Sequence, residues 1–187
     1  MKKKISFNEH KKFEDENIFV FGSPFNLVSI YDDRIYDRSD ADLMNTSMRN
    51  YFKESLTELE YDWLSGNILG SPLFTTTFIF PKNGILGASP FDTTRFEKRG
   101  KDDYFVLTPT QVAGYLIQFK CGEGLLENLK KLISYHPINL DKLKDHLNSD
   151  KALEPVFNSI YVQLKNYQSK IVNSDKLLKK SRIGRIL

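Results

Sequence analysis

Thr108-Pro109-Thr110-Gln111 opens the stretch that most limits what this chain can become. A threonine N-cap accepts a hydrogen bond from an early helix amide, proline presets the first helical φ, and glutamine at the third position reaches back to the cap. The helix that follows carries Val112, Ala113, Tyr115, Leu116, Ile117 and Phe119, so it is apolar on nearly every side. Such a helix has no face to offer water, and the rest of the fold must enclose it. A chain of 187 residues can do so. At that length folding removes roughly 70% of the unfolded surface from water. The 40% hydrophobic and 13% aromatic content places the chain among folded rather than disordered sequences. The one cysteine, Cys121, excludes an internal disulfide framework and suits a reducing compartment.

Ahead of that helix the pattern alternates between strands and one long helix. Ile18–Phe21 is a short apolar run closed by Gly22-Ser23-Pro24, and residues 27–31 and 34–37 read as a hairpin across Asp32-Asp33. Met44, Met48, Phe52, Leu56, Leu59 and Trp63 recur at helical spacing, which predicts a helix from Ser39 to a stop at Ser65-Gly66. Residues 74–80 are aromatic and β-branched and predict a strand, with Pro81-Lys82-Asn83-Gly84 as a turn into residues 85–88. Residues 93–97 and Asp103–Leu107 read as a second hairpin.

After the enclosed helix, Gly122 and Gly124 act as its stop, and Leu125, Leu126, Leu129, Leu132 and Ile133 mark an amphipathic successor ended by Pro137. Asn139 caps a short helix with Leu140, Leu143 and Leu147. Pro155 starts the last helix, in which Phe157, Ile160, Leu164, Tyr167 and Ile171 form a heptad seam too short for a coiled coil. The expected class is α+β: an antiparallel β-meander packed against a helical C-terminal third, one domain over residues 1–172 with a basic tail at 173–187. Intramolecular burial of the seam makes a monomer the expectation.

The overall charge of +3 is modest, but its distribution is uneven. Residues 2–4 hold three lysines and residues 170–187 carry a net +5, which leaves the stretch between them at −5. No apolar core follows Lys2-Lys3-Lys4, and no apolar run approaches the ~18 residues that span a bilayer. A cytoplasmic location is therefore expected. Lys176, Lys179, Lys180, Arg182 and Arg185, interleaved with leucine and isoleucine, suit attraction to phosphates and make the tail a candidate nucleic-acid contact.

Residues 19–23 followed by Ser39-Asp40-Ala41-Asp42-Leu43 resemble the nucleotidyltransferase family, in which a strand ends in Gly-Ser and a nearby strand carries Asp-x-Asp. The resemblance implies phosphate contact by Gly22 and Ser23 and Mg²⁺ held by Asp40 and Asp42. The same residues also read as a helix start, with Ser39 as cap and Asp42 as its reciprocal partner. On a strand, residues two apart share a face; on a helix they diverge. The helix is the expectation, because the period from Met44 runs back to Ser39.

His10, His136 and His146 are scattered without zinc-ligand spacing, and a Cys121–His136 nucleophile pair competes with Cys121 as a small apolar residue. No GxxxxGK[ST], GxGxxG or GxSxG motif occurs. The chain is thus expected to act without catalysis or cofactor of its own, as a small cytoplasmic binder of another macromolecule. A protein partner is the first expectation, as for toxin-immunity and modulator proteins of similar composition. The magnesium-dependent enzyme and the tail-borne nucleic-acid binder are the alternatives. Whatever the partner, Thr108→Ala is expected to lower stability by about 1 kcal/mol, measured as a shift in urea midpoint at unchanged slope.

Overall fold

Among the described residues, six short strands build one mixed sheet: β1 (Ile18–Phe21), β2 (Leu27–Ile30), β3 (Asp62–Ser65), β4 (Ile68–Gly70), β5 (Thr77–Ile79) and β6 (Asp103–Leu107), in the spatial order β1-β2-β6-β5-β4-β3. The computed structural model describes residues 18–21, 27–30, 44, 46–80, 103–118, 124–148 and 150–173. These fall into two compact units, divided between Thr108 and Pro109. The class is α+β, as expected.

The meander is corrected. Neighbouring pairs β1–β2, β3–β4 and β4–β5 are antiparallel, but β6 lies parallel to both of its neighbours, with Val106 opposite Val28 and Tyr104 opposite Phe78. The reason is visible in β6 itself. Tyr104 and Val106 on one face and Phe105 and Leu107 on the other are all buried. A strand apolar on both faces belongs in the interior of a sheet, and such runs are typical of parallel pairing. β6 therefore forms no hairpin with β5, the described strand before it, but lies parallel to it.

One face of the sheet carries the core of the first unit. Ile18, Val28, Leu69, Phe78, Tyr104 and Val106 meet Met48 and Phe52 of helix α1 (Thr46–Ser55). Phe78 is the hub of an aromatic cluster, with ring centroids 5.0 Å from Phe52, 5.2 Å from Tyr61 and 5.8 Å from Tyr104. Such pairs add about 0.5–1.5 kcal/mol each beyond area burial.

The long helix predicted to reach Trp63 is also corrected. α1 ends at Ser55, a 3₁₀ turn occupies Thr57–Leu59, and Glu60 takes a left-handed conformation at φ 55° and ψ 33° that no right-handed helix can continue through. The carbonyl of Leu56 accepts the amides of both Leu59 and Tyr61 and so closes the turn. The helical spacing persisted only because the turn returns Leu59 and Trp63 to the core that α1 serves. Ser65-Gly66 is not a helix stop; Gly66-Asn67 is the two-residue turn joining β3 to β4.

The predicted strand at 74–80 narrows to Thr77–Ile79, flanked by Phe74, which stacks on Tyr61, and by Phe80, whose amide donates to Asn67 at 2.8 Å. The elements expected at residues 34–37, 81–88 and 93–97, and the Ser39 helix start, lie outside the described residues.

The second unit is helical: α2 (Pro109–Gln118), α3 (Leu125–Tyr135), α4 (Leu140–Leu147) and α5 (Glu154–Val172). α2 starts at Pro109 and is buried along nearly its whole length. Gly122, expected with Gly124 as the stop of α2, lies outside the described residues; Gly124 is the left-handed N-cap of α3, at φ 108°, and its carbonyl accepts the Asn128 amide. Pro137 follows the end of α3, and the Asn139 side chain caps α4 by accepting the Lys142 amide at 3.0 Å. Asp150 adds an unforeseen turn before α5, its carboxylate accepting the amides of Ala152 and Leu153. α5 packs against α3 and α4, burying Phe157 and Leu164 and half-burying Ile160, Tyr167 and Ile171.

The link between α3 and α4 is tied down by side chains. Gln168 of α5 donates to the Ile138 carbonyl at 2.8 Å and accepts its amide at 2.9 Å, as a neighbouring strand would. Thr110 accepts the Asn139 amide at 2.9 Å, and Ser134 bonds Tyr167 at 2.8 Å. Ile138 is buried and its carbonyl also accepts the Leu140 amide at 3.0 Å, so removing Gln168 strands the Ile138 amide. Gln168→Ala is expected to cost about 2 kcal/mol, checked by equilibrium denaturation of both proteins.

Candidate interaction surface at the sheet edge

Where α1 ends, the chain turns carboxylates outward. From residue 54 to residue 64 there are four acids (Glu54, Glu58, Glu60 and Asp62) and no basic residue, and all four are exposed. This segment closes on itself through contacts from α1. Arg49 donates to the Gly66 carbonyl, and its guanidinium lies 5.2 Å from the ring centroids of both Trp63 and Phe80. Lys53 pairs with Asp62 at 2.8 Å. Ser71 donates to the Leu59 carbonyl at 3.1 Å and accepts the Leu73 amide at the same distance. Beneath the surface, burial pushes the Tyr61 phenol up to about 12 against the opposing hydrogen bond from Thr76.

β3 is the outermost described strand on this side. Its register shifts between Trp63 and Ser65, making Leu64 the extra residue of a β-bulge. Leu64 is consequently 69% exposed and lies over Gly70, where an added Cβ would come within 2.4 Å of its side chain. Gly70 is therefore the floor on which Leu64 rests. Beside it, the Asp62 carboxylate accepts from Lys53 and from the Trp63 amide, each at 2.8 Å, and these bonds lower its pKa below the ordinary value.

A second polar cluster joins α4 to α5. The Tyr161 hydroxyl donates to Asp141, while Lys165 donates to Asp141 at 3.2 Å and to Tyr161 at 3.1 Å. Lys144 sits 4.6 Å from the Tyr161 ring centroid. The hydroxyl of Tyr161, then the Asp141 carboxylate, raise the Lys165 amine above its usual value. Exposed pairs of this kind contribute little to stability.

The residues singled out from sequence are divided sharply. Gly22, Ser23, Asp40, Asp42, Cys121 and the tail residues Lys176, Lys179, Lys180, Arg182 and Arg185 lie outside the described residues. His136 is fully buried after α3, and its amide donates to Leu132. Among the described residues, no three His, Cys, Asp or Glu side chains are grouped to hold a metal, and no helix is long and apolar enough to cross a membrane. The helical spacing that carries Trp63 hides this surface in the sequence. Gly66-Asn67 between Leu64 and Ile68 is the hairpin signal that could have revealed it. No protein-family model, curated protein or solved structure matches the chain.

One titration is open to test in the second unit. Burial lowers the His146 pKa, and Asp150 opposes that shift more weakly. The unfolded chain then binds the proton more tightly than the folded one, so stability is retained above the ordinary histidine pKa and lost as pH falls through the folded value. His146→Gln is expected to flatten that loss, read as a smaller drop in melting temperature between neutral and mildly acidic buffer than the wild type shows.

Proposed function

We propose that this chain is a cytoplasmic protein-binding module whose described contact surface is the acidic edge around β3. The observation that supports the reading is Leu64, an apolar side chain held out on a bulge, above a glycine, beside a run of exposed carboxylates. A bulge costs a strand its regular pairing and is commonly kept where it re-aims a side chain. An apolar anchor that follows a stretch of exposed acids in the chain suits a partner presenting an apolar pocket with basic residues near it, where charge sets approach and orientation. The modulator or immunity-like role suggested by composition is the form such binding takes here. It would be exercised by occupying a partner's surface rather than by transforming a substrate.

A photo-crosslinking residue placed at position 64 would capture the partner from the native host, after which binding is measured with purified components. Leu64→Ser and the pair Glu58→Lys with Glu60→Lys are each expected to weaken that binding about tenfold, equal to about 1.4 kcal/mol. Melting temperature should hold, because these side chains are exposed. Undiminished affinity in both variants would overturn the reading.

A further inference from the structure

The hydrogen-bonding direction of β3 follows from the ladder beside it. The Phe80 amide donates to the Asn67 carbonyl, so residues 67 and 80 form a hydrogen-bonded pair of the β4–β5 ladder. Such pairs alternate along antiparallel strands, which directs the backbone groups of Leu69 toward β5 and those of Ile68 and Gly70 toward β3. Trp63 stands opposite Leu69, in a non-hydrogen-bonded pair. Its amide and carbonyl therefore point away from β4, to the far side of the outermost described strand.

A residue with both groups directed outward is self-complementary. Two copies related by a twofold axis through Trp63 would exchange two hydrogen bonds and join their sheets edge to edge. The Asp62 carboxylate stands in the way: it accepts the Trp63 amide at 2.8 Å while Lys53 holds it in place at 2.8 Å. A second copy would have to displace that acceptor and bring another Asp62 close to the first. We propose that Asp62 guards the β3 edge against pairing with a second copy of this chain, by occupying the one outward amide that such pairing requires. Asp62 also belongs to the acidic edge proposed above, but the guard is read from self-association of the purified chain, which needs no partner, so the two proposals fail separately.

Asp62→Ala removes the carboxylate and adds little apolar surface at a side chain that is 78% exposed. In sedimentation equilibrium the wild type is expected to remain monomeric, whereas D62A forms a reversible dimer whose mass approaches twice the monomer's as concentration rises. Hydrogen exchange assigns the contact: in D62A the Trp63 amide should exchange more slowly at higher concentration. Lys53→Met keeps the carboxylate on the amide and should stay monomeric. A D62A protein that remains monomeric, a dimer that leaves Trp63 exchange unchanged, or K53M dimerising as strongly as D62A would each overturn the proposal.

Discussion

The interior placement of β6 is the constraint on which the first unit depends. Its four residues from Tyr104 to Leu107 are buried on both faces, so neither side of the strand can face solvent. It must be flanked on both edges, and its neighbours β2 and β5 come from distant parts of the chain and run parallel to it. Leu27 and Val28 are thereby brought beside Phe105 and Val106. Everything outward from that centre is antiparallel and local: the β1–β2 pair on one side and the β5-β4-β3 run on the other.

The aromatic cluster turns this arrangement into a single packing unit. Phe78 touches rings from α1, from Tyr61 and from β6, while Phe52 also meets Phe80 at 5.6 Å. The end of α1 is forced to turn back by the same cluster, because Leu56 and Tyr61 are both buried and only five residues apart. Glu60 accepts a left-handed backbone, a conformation costing roughly 1–3 kcal/mol for a non-glycine residue. The outcome is that β3, the outermost described strand, carries an exposed leucine and a carboxylate set on its own backbone. The surface chemistry proposed for this chain is thus a consequence of how its core closes.

In the second unit the order of control is different. α3, α4 and α5 were legible nearly to the residue, because Pro137, Asn139 and Pro155 mark boundaries by local backbone chemistry. The side chains that join the helices were not legible. Gln168 and Ile138 are thirty residues apart, and no pattern in either segment announces that one will act as a backbone partner for the other. The α+β class followed from the strand-rich first part and the capped helices of the last. The site did not follow, since Trp63 fitted the helical spacing of Met48, Phe52 and Leu56 as well as it fits a strand.

By itself the sequence determined the helix starts of the second unit, the strand at Asp103–Leu107, and the apolar faces of those helices that leave water. Each of these depends on a residue's own backbone preference or apolar surface, which are local properties. Only the tertiary structure decided that β6 runs parallel to its neighbours, that the apolar period after Ser55 passes through a turn into β3, and that Leu64 stands out over Gly70. Burial is blind to path: a side chain gains the same free energy from leaving water whether a helix or a turn carries it into the core. The choice between those paths rests on pairing partners far away along the chain.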